Sequence, residues 1–192
     1  MRIFFLLALG LLAATGSAAQ SNLMATPTGA AAPLASSPML TYAVRLGPGQ
    51  DLRQELQKLV QQQQIKAGTI VTGVGSLTTA SLRLANQSGP SVYRGHFEIV
   101  SLVGTLSVNG NHLHLAIADS TGRTLGGHLL DGNIIYTTAE LVVGVLPALD
   151  FRRELDPVST YNELTIYPAP DPKPAKSSGR RGRKPASGTA PR

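Results

Sequence analysis

The order of apolar and polar residues from residue 40 onward predicts strands interrupted by a single helix. Residues 41–46 alternate between the two classes, which is typical of a strand with one buried face. Gly-Pro-Gly at 47–49 ends that strand, and Asp51 lies in the first turn of a helix that runs through Gln64. The apolar residues of the helix recur every three or four positions: Leu52, Leu56, Leu59 and Val60. Because only one face is apolar, we expect this helix to lie on a sheet.

The chain from residue 68 to residue 167 predicts further strands joined by short turns. The predicted strands cover residues 68–77, 81–85, 97–106 and 112–118, the segment around residue 128, and residues 138–146, 151–155 and 164–167. One helix and about eight strands with short connections predict an α+β domain, with a largely antiparallel sheet and a flanking helix.

Both ends of the chain differ in composition from this central part. Residues 1–19 have the charged start, short apolar run and small-residue end of a cleaved secretory signal peptide. We therefore expect a periplasmic or secreted protein without a transmembrane anchor after cleavage. Residues 20–39 are rich in Ala, Ser, Thr and Pro and predict a flexible linker, whereas residues 169–192 predict a disordered basic tail.

The net charge of +6 belongs to the tail. Residues 171–192 hold seven of the 17 Lys and Arg residues but only one of the 11 Asp and Glu residues, so the rest of the chain is neutral. The folded part therefore has no overall basic bias toward nucleic acid. Cysteine is absent, which leaves nitrogen and oxygen atoms as the ligands for any metal.

Three of the four histidines lie within residues 112–128. His112 and His114 would share one face of a strand because alternate residues point the same way. A chain reversal at Gly122-Arg123 would bring His128 beside them. Three imidazoles would then form a facial set that leaves a metal one open position, and zinc is the natural candidate, although imidazole also suits copper, nickel and iron.

Four segments of the chain, in order, resemble the PPC domain, the "plants and prokaryotes conserved" domain. They are GTIVTGVGSLTTASLRLAN at 68–86, GHFEIVSLVGTLS at 95–107, NHLHLAIADSTGRTLGGHLLDG at 111–132 and TTAELVV at 137–143. With the opening strand and helix, we assign residues 40–168 to this domain. The resemblance implies an antiparallel sheet flanked by helices, a homotrimer, and a metal held by the histidines that correspond to His112, His114 and His128.

Plant members of this family join the domain to AT-hook motifs, and they use a GRFEIL string for partner binding. The corresponding residues here are Gly95, His96, Phe97, Glu98, Ile99 and Val100. They are candidates for a partner or subunit contact, although His96 replaces the arginine of the plant string. In the tail, RRGRKP at 180–185 is similar to an AT-hook core and offers Arg180, Arg181, Arg183 and Lys184 to DNA or another polyanion.

The leading hypothesis is thus an exported, trimeric PPC-domain protein that holds a divalent metal, with a small molecule able to complete the metal's shell. One alternative is a DNA-binding protein that uses the AT-hook-like tail. A second is a metal-dependent hydrolase, because a three-histidine site lowers the pKa of metal-bound water. Asp119 has two interpretations, as a residue that orients a histidine or as the first residue of the turn, and the turn is favoured.

Overall fold

A computed structural model describes residues 34–170, which belong to one compact unit. The predicted signal peptide, residues 20–33 of the predicted linker and residues 171–192 of the tail lie outside the described residues. The elements in chain order are β1 (Leu40–Leu46), α1 (Leu52–Gln62), β2 (Gly68–Arg83), β3 (Ser91–Leu106), β4 (His112–Ala118), β5 (Thr124–Leu129), β6 (Ile134–Val145), β7 (Leu149–Leu155) and β8 (Asn162–Pro168). Within residues 34–170, no helix has the length and apolar character needed to cross a membrane.

The first six strands form one antiparallel sheet in the order β1-β6-β2-β3-β4-β5. The end of β2 also pairs with β5, at Leu82↔Leu129 and Arg83↔His128. The sheet therefore curls until β5 meets the long strand β2, and β2, β3, β4 and β5 form a closed ring. The remaining two strands, β7 and β8, form a separate hairpin.

The described residues are dominated by strands, with one short helix, so the α+β expectation is corrected to a mostly antiparallel β-fold. A second difference concerns residues 68–77 and 81–85, which we predicted as two strands and which form the single strand β2. Pairing of β2 with β3 shifts register between Leu77 and Thr79, so a local irregularity absorbs the interruption without ending the strand.

The helix α1 packs against the sheet by the apolar face that its sequence predicted. Asp51 caps it, and its Oδ1 accepts from the backbone N–H groups of Arg53 (3.0 Å) and Gln54 (3.2 Å). Leu52, Leu56 and Val60 are buried in the main core, which is built almost entirely from aliphatic side chains. The core of the described domain thus needs no tryptophan, which the chain lacks.

One buried side chain, Asn133, joins the start of β6 to β2. Its Nδ2 donates to the carbonyls of Ser81 (2.9 Å) and Leu130 (2.6 Å), and its Oδ1 accepts from the Ser81 N–H (3.1 Å). Asn133 is fully buried, so these hydrogen bonds satisfy its amide away from water. It therefore holds the segment after β5 against β2, next to the ring closure.

We expect Asn133→Ala to lower the free energy of unfolding by about 3 kcal/mol, because it leaves the N–H of buried Ser81 and the carbonyl of half-buried Leu130 without their partner. Urea denaturation of the full chain measures the change. Asn162→Ala removes the same amide from an exposed position and should change stability by less than about 0.5 kcal/mol. Equal stability of the two variants would contradict the role given to Asn133.

Candidate metal site

The register of β4 and β5 brings the three histidines together. His114 pairs directly with His128, and His112 lies two residues before His114 on the same face of β4. The ring centroids are 5.1 Å apart for His112 and His114, 4.8 Å for His112 and His128, and 4.4 Å for His114 and His128. One ring nitrogen from each residue lies within 4.8 Å of the other two. The structure thus brings together the three residues that the sequence singled out.

The nitrogen positions fit a shared metal ion. The Nε2 atoms of His112 and His114 are 3.2 Å apart. Two nitrogens bound at about 2.0–2.1 Å to one tetrahedral zinc ion lie at nearly this separation. His112 and His114 are exposed and His128 is half-buried, so the cluster is open to solvent on one side. The set can hold a metal through three nitrogens and leave a position for water or a ligand.

The surroundings keep two of these imidazoles neutral. Burial lowers the pKa of His128 to about 4, with a further contribution from the positive charge of Arg83. Burial also lowers the pKa of His112, and the nearby Arg153 adds to the effect. The neutral imidazole has the free lone pair that a metal needs. Both groups are therefore in their metal-binding form at neutral pH.

Glycines allow the strands around the site to approach closely. A Cβ atom at Gly104 on β3 would collide with the carbonyl oxygen of His112, and Gly104 also has φ of +137°, which disfavours any side chain. A Cβ at Gly127, the residue before His128, would lie 2.7 Å from the carbonyl oxygen of Arg83. Larger residues here would push the histidine-bearing strands out of position.

Asp119 belongs to the turn, as the sequence favoured, and does not orient a histidine. Its Oδ1 accepts from the N–H groups of Thr121 (2.9 Å) and Arg123 (3.1 Å) and from the Thr121 hydroxyl (2.6 Å). These bonds stabilise the charged carboxylate and lower the pKa of Asp119. Asp119 thereby stabilises the turn at residues 119–123, which joins β4 to β5.

A cavity of about 770 Å³ opens beside the cluster, and His112 and His128 contribute to its wall. Two arginines line it as well: Arg83, from the end of β2, and Arg153, from β7. Sequence reasoning missed both, because neither lies near the histidines in the chain. The only signal in the sequence was that each arginine lies within a predicted strand. Arginines on the solvent-facing side of a sheet share this property, so it does not identify a site residue.

Residues 95–100, predicted as a partner or subunit contact, lie on β3 and point in two directions. Phe97 and Ile99 are buried in the core and cannot meet a partner. The other four residues are exposed, and the ring of His96 lies against that of Tyr136, with centroids 4.4 Å apart. The partner or subunit contact stays a prediction, and the four outward-facing positions are the ones open to a partner. The candidate DNA-binding residues Arg180, Arg181, Arg183 and Lys184 lie outside the described residues.

Two known proteins contain a segment that is similar in sequence to this chain. The chain is 44% identical over 153 residues to the bifunctional protein GlmU of Synechococcus sp. strain JA-2-3B'a(2-13), a match that covers 76% of this chain and 24% of that protein. It is 29% identical over 116 residues to AT-hook motif nuclear-localized protein 13 of Arabidopsis thaliana, covering 54% of this chain and 26% of that protein. The chain thus spans about a quarter of each of these relatives.

A solved structure and a family model each match more than half of this chain. The structure of a hypothetical protein from Salmonella enterica superposes with a TM-score of 0.69 at 46% identity, and the match covers 70% of this chain and 97% of that one. Residues 34–147 match the Plants and Prokaryotes Conserved domain, abbreviated PCC or PPC. The matched segment contains all three histidines of the cluster. The chain therefore belongs to the Plants and Prokaryotes Conserved domain family.

Proposed function

We propose that this protein binds a divalent metal ion, zinc by the chemistry of its ligands, through His112, His114 and His128, with a small molecule completing the coordination. The convergence of three imidazoles on one open face of β4 and β5 carries the proposal. All the ligand atoms are nitrogens, a set that suits zinc. When bound, such an ion supplies a positive charge and an open coordination position.

The metal proposal predicts that the purified full chain, dialysed against zinc and then against buffer, retains about one ion per chain and that His114→Ala removes it. The variant loses one of the three ligands but keeps the backbone pairing of residue 114 with His128. Elemental analysis by mass spectrometry measures the content.

His96→Ala is the matched control, since His96 is the one histidine outside the cluster, and it should leave the metal content unchanged. Full zinc content in His114→Ala, or no zinc in the wild type, would refute the site.

We also propose that the protein is a homotrimer, as the family resemblance implied. An apolar patch on the outer face of neighbouring strands supports this: Val71 and Val74 on β2, and Val100 and Val103 on β3, are each 49–55% exposed. Clustered exposed apolar side chains of this kind are typical of protein contacts. Val103 pairs with His114, so the patch extends to the edge of the metal site.

If this patch joins the subunits, Val100→Lys should convert trimers to monomers, because burying a lysine in an apolar contact is costly. Sedimentation equilibrium gives the mass, and circular dichroism confirms that the sheet persists. Val158→Lys, in the turn between β7 and β8, where Val158 is 91% exposed, should leave the mass unchanged. A trimer that survives Val100→Lys would exclude this patch as the contact.

Export to the periplasm or the medium is the third part of the proposal. The composition of residues 1–19 supports it. Such a location would keep the protein away from chromosomal DNA, and for this reason we rank metal binding above DNA binding.

DNA binding is the second candidate function, and the similarity to an Arabidopsis protein named for its AT-hook motif favours it. The RRGRKP segment at 180–185 would supply the contacts. The DNA-binding hypothesis predicts that the full chain binds AT-rich duplex more tightly than GC-rich duplex, as measured by fluorescence anisotropy. Deletion of residues 171–192 should abolish this preference. Equal affinity for both duplexes and for heparin would instead indicate a nonspecific polyanion tail.

A further inference from the structure

The hairpin of β7 and β8 lies beyond residues 34–147, the part that matches the family, yet it forms one wall of the cavity at the metal site. Leu149 and Phe151 pack with Ala67 in a small second core. The carbonyl of Phe151 accepts from the Ser107 hydroxyl and from Asn109 Nδ2, both at 2.9 Å. These contacts fix the hairpin against the turn that precedes His112.

The hairpin contributes a positioned cation to the cavity. Arg153 donates from Nη2 to the hydroxyl of Thr105 at 2.7 Å, and its aliphatic part lies against Gly110. Burial lowers the pKa of Arg153, as expected for a guanidinium withdrawn partly from water. An arginine held in this way has lost some hydration and has donors left for a ligand.

A second cation in the cavity wall comes from a different strand. Arg83 ends β2, and its pairing with His128 through the ring closure places it at the cluster. Among residues 34–170, neither Arg83 nor Arg153 forms an ion pair with a carboxylate. Both arginines thus lie near the histidines without a direct salt bridge in the described domain, although the negative charge of Glu163 acts on Arg153 and raises its pKa.

The cavity has one acidic side chain, Glu163 on β8. Its Oε1 accepts from the hydroxyl of Ser159 at 3.1 Å, within the hairpin. Against this single negative charge stand two guanidinium groups and any metal ion on the histidines. The net potential in the cavity is therefore positive and favours an anion.

The remaining wall is polar and suited to a small molecule. Asn109 and Asn111, from the turn between β3 and β4, line the cavity together with Tyr161 of the hairpin. A volume of about 770 Å³ falls within the range typical of small-molecule sites. Planar guanidinium groups bind carboxylate and phosphate oxygens through two parallel hydrogen bonds.

We propose that Arg83 and Arg153 recognise a small carboxylate- or phosphate-bearing molecule in the cavity beside the histidines, and that the β7–β8 hairpin supplies its specificity. The inference rests on the proposed metal site, since an anionic oxygen would also fill the open coordination position. The ligand of that site would thus be an anion. The hairpin, which lies outside the family-matched residues 34–147, would help to select it.

The test is isothermal titration calorimetry of the full chain with two probes, inorganic phosphate and succinate. Each is titrated into zinc-loaded and metal-free protein. We expect the zinc-loaded wild type to bind at least one probe, and Arg153→Gln and Arg83→Gln each to weaken that binding about tenfold or more. The probe that binds more tightly distinguishes phosphate from carboxylate ligands.

Arg152→Gln is the matched control. It removes the same charge from the neighbouring residue of β7, whose guanidinium lies 4.6 Å from the Tyr167 ring centroid and 3.2 Å from Asp150 Oδ2. This variant should bind the probe within about twofold of the wild type, since its charge is not part of the cavity wall. Having two test positions, one on β2 and one on β7, keeps the result interpretable if one variant is unstable.

The two proposals fail in different ways. Zinc content measured on the same samples reports the metal site alone. Normal zinc with no binding of either probe, or with equal binding by wild type and both arginine variants, overturns the anion proposal and leaves the metal proposal intact. Probe binding that depends on both arginines in a protein that takes up no zinc supports the anion pocket and overturns the metal site.

Discussion

The pairing of β5 with two strands at once is the constraint on which the site depends. Along one edge β5 pairs with β4, which sets His128 opposite His114. Along the other it meets the end of β2, which sets His128 beside Arg83. A register slip of one residue would turn His128 to the other face of the sheet. The histidine cluster and the position of Arg83 beside it thus depend on one short strand, Thr124–Leu129, which is paired along both edges.

The charges around the histidines act on both parts of the proposed function. Arg83 and Arg153 disfavour protonated imidazole, so they help to keep His128 and His112 ready to bind a cation through nitrogen. The same guanidinium groups repel a bare metal ion and attract an anion. A bound anion offsets both this positive charge and that of a metal ion, so an anion at the arginines favours metal binding at the histidines, and the reverse. This is why we treat the histidines and the cavity as one site.

Much of the fold could be predicted from local patterns. The helix at Asp51, its buried face and the strands β1 and β4 follow from alternation, spacing and capping, which are properties of neighbouring residues. The single long strand β2 was less accessible, because the bulge between Leu77 and Thr79 interrupts the alternation of apolar and polar residues as the end of a strand does. The outward orientation of part of residues 95–100 required the observed alternation along β3.

The sequence by itself determined the family, most of the strand segments along the chain, the three histidines as candidate ligands and the placement of the excess charge in the tail. These depend on residues close together in the chain or on motifs in a fixed order. Only the tertiary structure decided that Arg83 and Arg153 meet at the histidines and that Asn133 supports the ring closure. Those residues are separated by up to 52 positions from the groups they approach, and contacts at that range arise from sheet curvature and hairpin packing, which no local pattern encodes.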